Sequence, residues 1–210
     1  MRRRPTLALL TTLMSVVMIG AQISPAAAAS GSFGAKLDTS SQPSNAEGGH
    51  KCDQESGIQP GSVCTWIGVE AYHNGSHYTA PKTGTIKKLK LVSCIAGKFT
   101  LQIAHKASNG RYKIVRGGPS IHYQADPFVT DGDPNTFCGG DNGEYVVQSF
   151  TINVHVDTGD LIAVKAKKLG TLYCSGGGGV KLFAPPLSTG QTATPDATGS
   201  CDLLITLVYG

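Results

Sequence analysis

The segment from Asp126 to Glu144 is the richest source of metal-ligating side chains in the chain. Its acidic and amide residues are Asp126, Asp131, Asp133, Asn135, Asp141, Asn142 and Glu144. Calcium takes about six to eight oxygen ligands, and Asp131, Asp133 and Asn135 match the first ligand positions of a calcium-binding loop. The match then ends, because the turn glycine and the closing glutamate of such a loop are missing here. The sequence therefore predicts either a structural calcium site at these three residues or a solvated acidic loop, and it indicates no other cofactor.

Aromatic side chains offer a second chemistry, the stacking of sugar C–H faces on rings. The chain has one tryptophan and seven tyrosines. Tyr78, Tyr123 and Tyr145 stand beside predicted loops and are the candidates for exposed ligand contacts. Trp66 stands two positions after Cys64, and we expect it to pack against a disulfide in the core. These residues favour carbohydrate as the ligand class.

Catalytic patterns are weak in this sequence. No Gly-x-Ser-x-Gly nucleophile elbow occurs. Glycoside hydrolysis needs two carboxylates that flank the bond, and the pair we retain is Glu70 with an acid from the Asp126–Glu144 segment. His73 and His77 flank an Asn-Gly-Ser turn but lack a third metal ligand, and His155 is predicted on the outer face of a strand. The balance favours a protein that is not an enzyme.

The chain has six cysteines, and an even number is typical of disulfide bonding in an exported protein. The closest two are twelve positions apart, too far for a zinc-binding thiolate pair. Six cysteines allow many connectivities, and the sequence does not choose among them. We expect sequential pairing, which gives Cys52–Cys64, Cys94–Cys138 and Cys174–Cys201.

The N-terminus has the three parts of a signal peptide. Three arginines are followed by an apolar stretch and then by a small-residue cleavage site at Ala29. We expect a signal peptide at 1–29, a flexible leader at 30–51 and one domain at 52–210, secreted to the extracellular space. Without the three arginines the formal charge of +4 falls close to neutrality. The sequence therefore has no excess of positive charge that would indicate binding to nucleic acid. The rest of the chain has no apolar segment long enough to span a membrane.

The hydrophobic pattern of the domain has a period of two. Phe99, Leu101 and Ile103 alternate with polar or small residues, as do apolar residues between 150 and 156. Ile86 breaks the parity of its strand, which predicts either a bulge near Lys87 or a strand that begins only there. With many short strands, frequent turns and no helical stripe, the sequence predicts an all-β fold. We expect an antiparallel, disulfide-stapled β-sandwich with jelly-roll topology first and an immunoglobulin-like arrangement second.

The run from Trp66 to Ala104 combines a tryptophan strand, Pro-Lys-Thr-Gly-Thr-Ile-Lys-Lys-Leu-Lys-Leu-Val and Phe-Thr-Leu-Gln-Ile-Ala. Together with Gly-Asp-Leu-Ile-Ala-Val-Lys at 159–165, it resembles exported β-sandwich proteins of high-GC Gram-positive (actinobacterial) bacteria that have no assigned biochemical function. The resemblance implies secretion and a sandwich fold. It transfers no functional residue.

These observations lead to one expected function and two alternatives. We expect a secreted, non-enzymatic ligand-binding module whose partner is an extracellular glycan or another cell-envelope component. The alternatives are a secreted polysaccharide or envelope hydrolase, and a structural or interaction protein such as an adhesin or an enzyme inhibitor.

Overall fold

The computed structural model of the chain describes residues 31–37, 50–54, 57–70, 77–126, 146–174 and 179–210. These residues form fifteen strands and two short 3-10 helices, Cys52–Gln54 and Ser108–Gly110, with no α-helix among them. Nothing helical in the described ranges has the length and apolarity needed to cross a membrane. The strands are β1 (Ser32–Gly34), β2 (His50–Lys51), β3 (Cys64–Glu70), β4 (Gly84–Leu91), β5 (Gly97–Lys106), β6 (Tyr112–Tyr123), β7 (Gln148–Val156), β8 (Asp160–Ala166), β9 (Lys168–Leu169), β10 (Leu172–Tyr173), β11 (Gly179–Phe183), β12 (Thr192–Ala193), β13 (Ala197–Gly199), β14 (Asp202–Leu203) and β15 (Ile205–Tyr209).

Two antiparallel sheets dominate the fold. The small sheet has the order β1-β15-β4-β7, and the large sheet has the order β12-β6-β5-β8-β3-β11-β13. The eight strands of a jelly roll correspond here to β1, β3, β4, β5, β6, β7, β8 and β15. Renumbered one to eight in chain order, they lie side by side in the order 1-8-3-6 in the small sheet and 5-4-7-2 in the large sheet. This is the strand order of a jelly roll, with β11 added beside β3. The prediction of an antiparallel, disulfide-stapled all-β fold is confirmed.

The main core lies between the two sheets. Alternate residues of each strand point into it, as expected where one face of a strand is buried. From the large sheet come Phe99, Leu101 and Ile103, and from the small sheet come Leu89 and Leu91. Trp66 is fully buried in the same cluster as Cys52 and Cys64, so the prediction of a core tryptophan is confirmed.

The irregularity predicted in β4 is present. The pairing register of β4 with β7 shifts between Ile86 and Lys88, and the same two residues mark the shift against β15. One extra residue restores Ile86 to the core side, where it is fully buried together with Leu89. Lys87 stays exposed, and its Nζ donates a hydrogen bond to Asn153 Oδ1 at 2.8 Å.

Two of the predicted disulfides join described residues. Cys52 is bonded to Cys64 with a Cα–Cα distance of 5.8 Å, and Cys174 is bonded to Cys201 with a Cα–Cα distance of 4.1 Å. Cys94 is also disulfide-bonded. Its predicted partner, Cys138, lies outside the described residues.

The predicted leader at 30–51 is wrong for its two ends. Ser32–Gly34 pairs with β15, Phe33 is buried, and its ring lies 5.9 Å from that of Tyr209. Gly34 has a φ of 117°, and a Cβ there would collide with the carbonyl of Ile205. His50–Lys51 pairs with β9. The folded domain therefore begins well before Cys52. The sequence did not indicate this, because a three-residue strand is too short to leave a periodic pattern. The predicted signal peptide at 1–29 lies outside the described residues.

Candidate functional site

The large sheet is curled so that the face turned away from the main core is concave. Tyr112 of β6 and Phe183 of β11 both point to this face, and their ring centroids are 6.0 Å apart. Four strand steps separate β6 from β11, which in a flat sheet would be about 19 Å. The two flanks of the sheet therefore approach each other. We call the concave face the trough.

The middle of the trough is filled by a strap, residues 184–191, that runs between β11 and β12. Leu187 of the strap is buried in a second apolar cluster with Ile67, Ala104 and Ala163, which lie on the floor of the trough. This second cluster explains why β8 is buried on both faces from Asp160 to Val164.

Two buried hydrogen bonds join Leu187 of the strap to the sheet, and a third links their two partners within the sheet. The Leu187 N–H donates to Thr65 Oγ1 at 3.0 Å, and Gln102 Nε2 donates to the Leu187 carbonyl at 2.9 Å. The Thr65 hydroxyl donates to Gln102 Oε1 at 3.0 Å, which closes the triangle. Thr65 and Gln102 are buried polar residues, and this arrangement satisfies both side chains. The strap thus divides the trough into two open ends.

One end, which we call the tyrosine groove, is a cavity of about 630 Å³. Its apolar wall includes Val69, Leu161 and the ring of Tyr112, and its polar residues are Glu70, Lys106, Lys181, Thr79 and Thr198. The volume lies within the range of small-molecule sites. A lining that pairs apolar surface with a few hydrogen-bonding groups can hold a hydroxylated ligand.

Electrostatics in the tyrosine groove keep its phenol neutral. Burial raises the pKa of Tyr112 above its ordinary value of 10.0, and the nearby carboxylate of Glu70 raises it further. Lys181 Nζ donates a hydrogen bond to Thr198 Oγ1 at 3.0 Å, which fixes one ammonium group at the rim. Tyr112 can therefore donate an O–H hydrogen bond, Glu70 can accept, and Lys181 and Lys106 can donate.

The other end, which we call the lysine groove, is a cavity of about 430 Å³. Its basic residues are Lys98, Lys165, Lys167, Lys168 and His122, and the hydroxyl residues Thr100 and Ser120 lie among them. Among the described residues that line it, none is acidic. Its chemistry is that of an anion site.

Two of the three tyrosines that were predicted as exposed ligand contacts are buried in the structure. Tyr78 and Tyr123 are buried, each with 2 % of its surface exposed, so the prediction that they make exposed ligand contacts is wrong. The Tyr78 hydroxyl donates to the Leu203 carbonyl at 2.9 Å, and the Tyr123 hydroxyl accepts from the Gly170 N–H at 3.1 Å. Both phenols find backbone partners inside the protein, which is why they tolerate burial. The third predicted contact, Tyr145, and the predicted calcium ligands Asp131, Asp133 and Asn135 lie outside the described residues.

The carboxylate pair predicted for a hydrolase was Glu70 with an acid of the Asp126–Glu144 segment. Asp126 is the described acid of that segment, and it lies too far from Glu70. Glu70 lines the tyrosine groove together with Lys106, at one end of β5. Asp126 follows β6, whose Tyr123 pairs with Gly97 at the other end of β5. The ten residues of β5 span about 30 Å. Glu70 and Asp126 therefore cannot flank one glycosidic bond, and the other acids of that segment lie outside the described residues.

Histidines do not converge on a metal site in the described ranges. His155 is exposed on the outer face of β7, as predicted, and its Nε2 lies 3.2 Å from Asp157 Oδ1. His77 is exposed, and its backbone bridges to Gly34. His50 lies near Cys174 and Cys201, but the two sulfur atoms are joined in a disulfide and are not thiolates.

Sequence reasoning singled out Glu70 but missed its neighbours in the tyrosine groove. Tyr112, Lys106 and Lys181 are far apart in the chain, and only the curl of the sheet brings them together. The polar positions Lys98 and Thr100, which alternate with core residues, were a signal for a wet surface on that strand. They gave no indication that Lys165 stands beside them.

Comparison with protein-family models, with curated proteins and with solved structures found no match for this chain. The resemblance to exported actinobacterial proteins therefore stays a prediction.

Proposed function

We propose that the chain is a secreted, non-enzymatic module that binds a carbohydrate or another hydroxylated cell-envelope component in the tyrosine groove. The observation that carries this proposal is the groove of about 630 Å³ at the open mouth of the curled sheet, with its mixed apolar and hydrogen-bonding lining. Disulfides among the described residues are compatible with an oxidising, extracellular compartment.

The lining favours binding over hydrolysis. Among the described residues that line the tyrosine groove, Glu70 is the one carboxylate. The usual mechanisms of glycoside hydrolysis require two carboxyl groups at the bond, one of which protonates the leaving group. A single acceptor flanked by two ammonium groups is instead suited to fixing the orientation of hydroxyl groups.

The proposed sugar contact is a set of hydrogen bonds, whereas the sequence predicted stacking of the sugar on exposed aromatic rings. Aromatic stacking needs an exposed ring, and the large hydrophobic residues exposed in the described ranges are Val63, Val146 and Val147, all aliphatic. The Tyr112 side chain is buried and lines the groove. Recognition would rest on hydrogen bonds to Glu70, Lys106 and Tyr112 above an apolar wall, so the ligand is expected to enter as a chain end or a short oligosaccharide.

The test is a thermal-melt series on the oxidised chain with a panel of laminarin, xylan, chitin oligosaccharides and soluble peptidoglycan fragments. A ligand at about 100 times its Kd stabilises a fold by about 2.7 kcal/mol, which raises the melting temperature by several degrees. The proposal expects such a rise with at least one member, which is recovered intact afterwards. Cleavage of the stabilising glycan would replace the proposal by the hydrolase, and a flat panel would contradict it.

A further inference from the structure

The lysine groove is a second site at the opposite end of the trough, and strand register accounts for its composition. Lys98 pairs with His122, and Thr100 pairs with Ser120 on one side and with Lys165 on the other. Residues paired across antiparallel strands share a face, so these five side chains stand together on the floor of the trough. Lys167 and Lys168 follow directly after β8 and extend the basic row along the rim.

The charges in this groove have no compensating acidic partner among the residues that the structure describes. Lys98 and Lys165 are diagonal neighbours on adjacent strands, which places their backbones about 7–8 Å apart. In the part of the chain that the structure describes, none of Lys98, Lys165, Lys167 and Lys168 forms an ion pair. A bound anion would reduce the repulsion between ammonium groups that stand on the same face of the sheet.

We propose that the lysine groove binds an extracellular polyanion through its phosphate or carboxylate groups. Lysine ammonium groups bind such anions as point charges without a fixed bidentate geometry, which suits a flexible chain. The hydroxyls of Thr100 and Ser120 and the imidazole of His122 add hydrogen-bond donors between the ammonium groups. The row of four lysines along an open groove is longer than a single small anion requires.

The lining argues for an acidic polysaccharide or polyol phosphate and against nucleic acid. Single-stranded nucleic acid is held by exposed aromatic rings on which bases stack. The aromatic lining residues of this groove are His122 and Phe99, and Phe99 is buried. The inference goes beyond the proposed function, because it concerns other residues, another ligand chemistry and the other end of the trough.

The experiment measures the affinity of the oxidised full chain for polyglycerol phosphate, polygalacturonate, single-stranded DNA and neutral dextran by affinity electrophoresis. The groove variant is Lys98→Gln/Lys165→Gln. Its matched control is Lys88→Gln/Lys90→Gln, which removes the same charge from exposed positions of β4 in the small sheet. A third variant, Glu70→Gln/Lys106→Gln, alters the tyrosine groove alone.

The proposal expects one or both acidic polymers to bind, and expects neutral dextran to leave the migration of the wild type and of each variant as it is without polymer. Which polymer binds identifies phosphate or carboxylate as the recognised group. The groove variant should lose about tenfold in affinity, while the matched control changes by less than about twofold. The tyrosine-groove variant should bind the polyanion as the wild type does, so failure of one proposal leaves the other standing.

Three results would overturn the inference. The first is no retardation by either acidic polymer at low salt. The second is an equal loss in the groove variant and the β4 control, which would mean that binding follows net charge only. The third is tighter binding of single-stranded DNA than of both acidic polymers, which would make the groove a nucleic-acid site.

Discussion

Single residues in the tyrosine groove carry the chemistry of the proposed function, and the surroundings of Tyr112 keep its phenol protonated. Tyr112 is held neutral first by burial and second by the carboxylate of Glu70. A neutral phenol donates its O–H to a ligand oxygen, and the Glu70 carboxylate accepts from a ligand hydroxyl. The two groups thus offer opposite hydrogen-bonding roles on one wall of the groove.

The coupling between these residues gives the first prediction. In Glu70→Gln the pKa of Tyr112 should fall, because the negative charge that opposes its ionisation is gone. The pKa should stay above 10.0, because burial is the larger cause and is unchanged. The measurement is a pH titration of the chain labelled with [ζ-13C]tyrosine, with the signal assigned by Tyr112→Phe. Tyr209, whose pKa is raised by burial without Glu70, is the internal control; an unmoved Tyr112 would show that the two groups are not coupled.

The strap is the element on which the shape of both grooves depends. Gln102 and Thr65 fasten it by the closed triangle of hydrogen bonds with Leu187. We predict that Gln102→Leu lowers the free energy of unfolding by about 1–3 kcal/mol, because the Leu187 carbonyl is left buried without a partner. Urea unfolding measures this loss, and limited proteolysis should cut faster within 184–191.

The matched control for the strap is Gln124→Leu, the same substitution at an exposed position after β6. It should change stability by less than about 0.5 kcal/mol. Equal effects of the two substitutions, or an unchanged rate of cleavage in the strap, would mean that Gln102 does not hold it.

At the scale of elements, the sequence predicts what local periodicity determines. The alternation of Phe99, Leu101 and Ile103 identifies a half-buried strand, and the broken parity at Ile86 identifies a bulge, because both features arise from neighbouring residues. Position beside a loop does not tell which side of a sheet a ring will enter, so Tyr78 and Tyr123 were misplaced. The trough depends on contacts such as Tyr112 with Phe183, which only the assembled sheet provides.

The molecule as a whole is held together by disulfides as well as by its core. We predict that Cys174→Ala/Cys201→Ala and Cys52→Ala/Cys64→Ala each lower the free energy of unfolding by about 3 kcal/mol. The bonded cysteines are 27 and 12 positions apart, so breaking either bond frees a loop in the unfolded chain. Urea unfolding of the oxidised variants measures the loss. A change below about 1 kcal/mol in both would show that the core alone sustains the fold.

Because several phenols are buried, we predict that the free energy of unfolding falls at alkaline pH. Burial is the leading cause that raises the pKa of Tyr78, Tyr123 and Tyr209 above 10.0 in the folded chain. Unfolding lets these phenols ionise at their ordinary pKa, so their contribution is complete below about pH 10 and is lost as the pH rises toward the folded values. Urea midpoints should therefore fall above about pH 10. In Tyr78→Phe the fall should be shallower, and an identical fall would mean that Tyr78 does not contribute to it.

The measurement that tests the account most directly is the [ζ-13C]tyrosine spectrum of the oxidised chain, recorded with and without each member of the glycan panel. If the tyrosine groove is the binding site, at least one member shifts the Tyr112 signal while the signals of Tyr78 and Tyr123, which lie in the core between the sheets, remain in place. A Tyr112 signal that no member of the panel moves would contradict the proposed function.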